Sequence, residues 1–460
     1  KMKLILLILI IFISSTLLFK KAVGTLNPGK LNIISYVYYI FMLQSFAGAA
    51  LILLGNDKHY TLNYLLNREE SIRITISVIF LTAVLLPGMI IIFQKIFRQN
   101  IGKMYVSFLK QETEVETPTV WWKLFYAGSA ICILVLIGFL IKVGYIPVLR
   151  LIHAPEGFNF GTERNRIAST YFIHPYISNI LLFTMIPLLS YISFAFAFAT
   201  KQKKWIAISG VLFVASCICK TYKFEKSPII FHLLVYVLIV LYLSGGIKFI
   251  YMMLTGGVMG GVLIASYFAT GFTGTLLDIY NGPLGRTLFT EVGTLSYCFD
   301  LFPNVFGYLN GRSFTPTILK LLGMSGAEHL RSAKLTMAFY GSEKVYDGTA
   351  GVMNTLFVGE AYANWGYSGV ILSIVWVALV ISVMMILVLK MRKTPSVVAL
   401  LALLTVQVGS MLEGGFCDFV YSFNLIFTIF VILGIYMVFE NRNNVVIRKV
   451  KGKMRSCIKK

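Results

Sequence analysis

The chain has 460 residues, 57% of them hydrophobic and 13% charged, with a mean hydropathy of +0.79. A soluble domain carries roughly a quarter charged residues, so a soluble globular protein is excluded. Apolar runs of about 20 residues recur, which predicts an all-α polytopic membrane protein, and the absence of alternating strands excludes an outer-membrane barrel. The net charge of +22 reads as membrane orientation rather than nucleic-acid binding. The six cysteines have neither metal-ligand spacing nor the look of a disulfide framework.

Eleven spans are predicted, at 2–19, 31–54, 74–97, 124–142, 177–199, 205–219, 228–246, 249–269, 369–390, 396–412 and 419–439. The first run has no small-residue cleavage site and is expected to stay in the membrane. The sixth is short and is expected to tilt or to stop within protein. No internal repeat is visible, which gives no support to an inverted-repeat transporter.

The hydrophilic pieces orient the chain. The 440–460 tail is strongly basic and is placed in the cytoplasm. Working backward puts 55–73, 143–176, 220–227, 270–368 and 413–418 outside, and with them every acid except Glu112, Glu114, Glu116 and Glu440. The expected organisation is a bundle over 1–269 with basic outer loops at 143–176 and 220–227, and an outer loop of short helices over 270–368. Helices over 369–439 and the cytoplasmic tail complete it. Basic residues on the outer face run against the usual bias and point to an anionic ligand; the plainer reading is that they pair with the outer acids.

Several constellations carry chemistry. Arg164 and Arg166, after Arg150, can grip a diphosphate because the guanidinium fork matches phosphate geometry; lipid-headgroup contacts are the plainer alternative. The turn Lys220–Pro228 holds Lys220, Lys223 and Lys226, with Ser227 a candidate cap and Pro228 suited to the first turn of a helix. Gly282–Arg286 reads as a turn into a helix over Arg286–Tyr297, expected to lie at the membrane interface. Glu328-His329-Leu330-Arg331 puts an acid, an imidazole and a guanidinium on about one helical turn. Glu360, with Asn354 and Asn364, lies among apolar residues near membrane depth, where polar groups need partners. Glu413 and Asp418 bracket a short outer turn.

Together these features resemble the bacterial lipid-linked oligosaccharide repeat-unit polymerases, the Wzy-type O-antigen and capsule polymerases. The residues that carry the resemblance are the Arg-rich entry to the fifth span, the Lys223–Pro228 turn, the long outer loop, and Gly359-Glu360-Ala361-Tyr362-Ala363-Asn364-Trp365-Gly366-Tyr367-Ser368-Gly369. The resemblance covers most of the chain in layout and few residues in motif. It implies a fold like that of the glycosyltransferase C superfamily and a multi-pass protein of the bacterial cytoplasmic (inner) membrane, with its active site facing the periplasm or exterior. It also implies undecaprenyl-diphosphate-linked glycans as substrates, membrane lipid as surroundings, a chain-length-determining co-polymerase as partner, and no nucleic acid.

Such transfer needs cations at the diphosphate and a base near the acceptor hydroxyl. The outer loops offer no DxD-like pair, so no metal and no cofactor are expected. The expected diphosphate contacts are Arg164, Arg166, Lys223 and Lys226, then Arg286 and Arg331. The expected base is Glu360, then His329, then Glu413. Two other readings stay open. One is an O-antigen ligase, which often carries a His-containing motif where this chain has Met353-Asn354; the other is a flippase for polyprenyl-linked sugars, which predicts charged spans and symmetric halves.

Overall fold

The computed structural model describes residues 2–115, 119–153, 155, 157–269, 274–276, 278–280, 282–440 and 448–449. The expected basic tail therefore lies almost wholly outside the described residues, as does Glu116. Among the described residues ten helices are long and apolar enough to cross a membrane, one fewer than predicted. The protein is a multi-pass helical membrane protein.

In chain order the helices that matter here are α1 (Met2–Val23), α2 (Ile33–Leu53), α3 (Arg68–Ile96), α4 (Ile101–Lys110), α5 (Thr119–Val143) and α6 (Phe160–Ala168). Then come α7 (Pro175–Thr200), α8 (Lys203–Thr221), α9 (Ser227–Ser244), α10 (Phe249–Ala269), α11 (Pro283–Leu301) and α12 (Ser332–Tyr340). The chain closes with α13 (Leu356–Lys390), α14 (Pro395–Gly414), α15 (Phe416–Val420) and α16 (Phe423–Ile435). The predicted eighth span is α10, whose apolar described part, Phe249–Ala265, is shorter than the others. The sixth, α8, has 19 residues, enough to cross. Residues 114–115 and 448–449 pair as a two-residue antiparallel bridge, Glu114 opposite Lys449 and Val115 opposite Arg448.

The bundle is built from ordinary local rules. Asn32 caps α2 by accepting from the amides of Ile34 and Ser35, and Ser35 answers through the Asn32 amide at 2.8 Å, a reciprocal box. Residues 42–46 then form a π-turn inside α2, a local widening that often accompanies function. Gly48 sits where α2 meets α11, and a Cβ there would overlap the Leu288 carbonyl; only glycine allows this approach.

The 270–368 stretch differs from the expected interfacial lid. Its first half is α11, whose residues from Val292 to Leu301 are all buried and which packs against α3, α13 and the π-turn. The polar residues that lowered its hydropathy have partners elsewhere. Asp300 accepts from the amides of Leu66 (2.6 Å) and Asn67 (2.8 Å), from Ser71 Oγ (2.8 Å) and from the Tyr340 hydroxyl. It thus supplies from another element the acid that the positive end of α3 favours. The second half does consist of short helices, including α12.

At the opposite end of the bundle Lys393 is buried, and its ammonium donates to the carbonyls of Leu109 (3.2 Å) and Gln111 (3.0 Å) at the end of α4. Arg392 pairs with Glu114, and Glu440 accepts from Thr394 and Ser396. These contacts fasten the α13–α14 connection to α4.

Candidate functional site

The basic side is built from α6 and the turn between α8 and α9. Asn159 caps α6 through the amides of Gly161 (2.9 Å) and Thr162 (3.2 Å). Arg164 then donates from Nε to the Lys223 carbonyl at 3.1 Å, which brings the two predicted basic segments together. Between the lysines Phe224 is buried, with φ of 57°. A bulky residue holds that conformation only when its surroundings over-determine it. Here the Phe158 and Phe160 rings, 5.8 and 5.3 Å away, do so. The buried phenyl ring pins the turn that carries Lys223 and Lys226. Ser227 does not cap α9: it is the first helical residue, Lys226 is the cap, and no side chain bonds the first-turn amides.

Arg166 has a different role from the expected one. Its Nε pairs with Glu163 at 2.8 Å, its terminal nitrogen reaches the Val143 carbonyl at 3.3 Å, and its guanidinium lies over Tyr145. Tyr145 donates to the same carboxylate at 2.8 Å. Burial opposes ionisation of Glu163, but the hydrogen bonds from Tyr145 and Arg166 and the charges of Arg166 and Arg150 outweigh it and hold Glu163 below the usual carboxylate range. Arg166 is thus tied to α6 and to Tyr145.

Arg286 is exposed in the first turn of α11. Burial and then the Arg286 charge lower Lys226, and the same two causes push His59 down to about 4. His59 is buried against Phe289, with Nδ1 bonded to Thr61 at 2.7 Å and Nε2 unpartnered. Arg164, Lys223, Lys226 and Arg286 take part in none of the six ion pairs among the described residues. The predicted pairing of outer bases with outer acids fails for these four.

The acid side corrects two expectations. Glu360 has no solvent exposure; Arg331 Nε lies 2.5 Å from Oε1, and the Cys417 amide donates to Oε2 at 2.9 Å. Arg331 also pairs with Asp418 at 3.2 Å and reaches the Gly414 carbonyl at 3.4 Å. Gly415, at φ of 152°, passes so close that a Cβ would overlap the Glu360 carboxylate. Glu360, the first-choice base, is a bolt between α13 and the α14–α15 turn, and Arg331 is its counter-ion rather than a phosphate ligand. Arg331 is 29 residues from Glu360 in sequence, and no local pattern announces the pair.

His329 is half-buried, with Nδ1 bonded to the Phe314 carbonyl at 2.7 Å; a carbonyl accepts, so Nδ1 carries the proton and Nε2 is left as the basic nitrogen. Its neighbour Glu328 pairs with Arg312 at 3.7 Å. Asn364 is fully engaged: it accepts from Gly311 N at 2.9 Å and donates to Ser313 Oγ (2.9 Å) and to the Glu360 carbonyl (2.8 Å).

Glu413, at the end of α14, has a carboxylate oxygen without a partner and the Gln44 side chain beside it. A candidate residue that the sequence did not single out is Glu291 on α11. One of its oxygens is also unpartnered, and burial, then the Glu413 charge, raise its carboxyl well above the usual range. Two carboxyls that feel each other in a buried setting hold one proton between them more readily than none. The available signal was an acid one residue before Val292, where the buried part of the helix begins. Among the described residues no group of three His, Cys, Asp or Glu side chains is placed to hold a metal.

Fold and site define a multi-pass helical membrane protein with basic residues that lack carboxylate partners and a half-buried pair of carboxyl groups. No family model, no curated protein and no solved structure matches the chain.

Proposed function

We propose that this chain is a membrane glycosyltransferase that joins undecaprenyl-diphosphate-linked oligosaccharide repeat units into a surface polysaccharide, at the outer face of a bacterial cytoplasmic membrane. One observation carries the reading. Arg286 and Glu291 lie five residues apart on α11, about 7.5 Å along a helix axis, so one element links the unpaired cations to the carboxyl pair.

The chemistry needs cations at the diphosphate and a base near the acceptor hydroxyl. An acceptor sugar hydroxyl attacks the donor's anomeric carbon, the bond from that carbon to the diphosphate oxygen breaks, and the hydroxyl proton must go to a base. Arg164, Lys223, Lys226 and Arg286 meet the negative charge that grows on the departing diphosphate. Glu413, with Glu291 beside it, is the carboxyl group that takes the hydroxyl proton; His329 Nε2 is the second candidate.

The test is mass spectrometry of lipid-linked glycans in cells lacking the protein. Single repeat units on the carrier lipid are expected to accumulate. Long unligated chains would instead mark a ligase, and an unchanged lipid-linked pool would sink the transferase reading.

A further inference from the structure

A cavity of about 290 Å³ lies among α7, α8, α9, α14 and α16, apart from the residues assigned to glycosyl transfer. Lys220, in the last turn of α8, lines it. No carboxylate does: the other polar lining comes from hydroxyl, amide, phenol and imidazole groups. Lys220 is in none of the ion pairs or side-chain hydrogen bonds of the described residues, and neither are Gln407 and Ser410, which line the cavity from α14. His232 also faces the space, but Tyr191 (2.6 Å) and Ser216 (2.9 Å) occupy its two ring nitrogens. The ammonium of Lys220 is the uncommitted charge of this lining, and a charge in such a setting calls for a counter-charge.

Two further features fit an anion with an apolar stem. The N-terminal turn of α9 borders the cavity at Pro228; proline has no N–H, so what this turn offers an anion is the positive pole of the helix rather than an amide donor. The remaining wall is apolar, from Pro187, Val235, Val406 and Leu425. Two of the lining residues, Thr184 and Asn424, are joined by an exposed contact, Oγ1 to Oδ1 at 3.4 Å. Thr184 itself belongs to a π-turn over Asn179–Met185.

We propose that this cavity binds the phosphate of an amphiphilic phosphate ester, with Lys220 as its cation, Gln407 and Ser410 as hydrogen-bond partners and the apolar wall against its chain. The site goes beyond the transfer reaction, and none of the residues assigned to that reaction forms it. Purified full-length protein in detergent is titrated with dodecyl phosphate, dodecanol and inorganic phosphate, with binding followed by calorimetry. Dodecyl phosphate is expected to bind at least tenfold tighter than either of the others. Lys220→Gln is expected to weaken it at least tenfold and Lys220→Arg by less than threefold. If Lys220→Gln does not fold, Gln407→Leu serves, with a weakening of at least threefold expected. Equal affinity in wild type and Lys220→Gln, or in wild type and Gln407→Leu, overturns the site. Inorganic phosphate binding as tightly as the ester overturns the amphiphile, and dodecanol doing so overturns the phosphate.

Discussion

A carboxylate that is to take a proton from a sugar hydroxyl must be reachable, and Glu360 is not. It has no exposure, its Oε1 lies 2.5 Å from Arg331 Nε, and its Oε2 accepts from the Cys417 amide. Its contribution belongs to stability. Removing one member of a buried ion pair leaves the other charge uncompensated, which costs about 3–5 kcal/mol, whereas replacing both by apolar groups of similar volume is often close to neutral. Glu360→Ala is therefore expected to destabilise the protein toward the lower end of that range, about 3 kcal/mol, since Arg331 keeps Asp418 at 3.2 Å and the Gly414 carbonyl at 3.4 Å. Combining Glu360→Leu with Arg331→Met is expected to recover much of the loss. Thermal unfolding of the purified variants reads both outcomes. A double variant as unstable as the sum of its singles would mean that the two residues are not coupled.

At the scale of elements the spans were legible because their composition alone decides them: a run of about 20 apolar residues has few other places to be. Helix α11 was legible as a helix but not as a core helix, because Arg286, Glu291 and Asp300 dilute its hydropathy. Its burial depends on partners from 200 or more residues away, such as the Leu66 and Asn67 amides just before α3 that bond Asp300. The start of α13 was misread for the same reason, since Glu360 is matched by a residue on another segment. The same helix kinks at one of its glycines. At Gly366 the backbone reaches φ of 61° and ψ of −146°, and a Cβ would lie 2.9 Å from the Tyr308 hydroxyl. That region of backbone space is open to glycine and little else. Gly366→Ala is expected to cost about 1–3 kcal/mol. Gly434→Ala, at a helical glycine with open space around it, is expected to be neutral or slightly stabilising. Thermal midpoints of the two variants check the contrast, and equal midpoints would remove the kink from the account.

Across the whole molecule the outer charges divide by what faces them. Arg68, Arg166, Arg312 and Arg331 each have a carboxylate within 4.0 Å, and their charge is spent on the protein itself. Arg164, Lys223, Lys226 and Arg286 gather, without such partners, where α6, the α8–α9 turn and the start of α11 approach one another. Sequence could nominate both groups, but only the fold could divide them, because the Glu163–Arg166 pair and the Arg331–Glu360 pair use up cations that looked free. The division makes a prediction that equal treatment of Arg164 and Arg166 would not. A hydrogen bond to a charged group contributes about 1.5–3 kcal/mol, which is roughly ten- to a hundredfold in rate. Arg164→Ala and Arg286→Ala are each expected to lower polymer formation from lipid-linked repeat units in isolated membranes by that factor. Arg166→Ala removes a partly exposed pair of the kind that contributes about 0–1 kcal/mol, so its activity is expected to stay within about fivefold of wild type. Equal expression and equal thermal midpoints are the control for folding. If Arg166→Ala proved as inactive as Arg164→Ala at unchanged stability, the charge of Arg166 would not be spent on Glu163, and the boundary of the anion site would have to be redrawn to include the whole of α6.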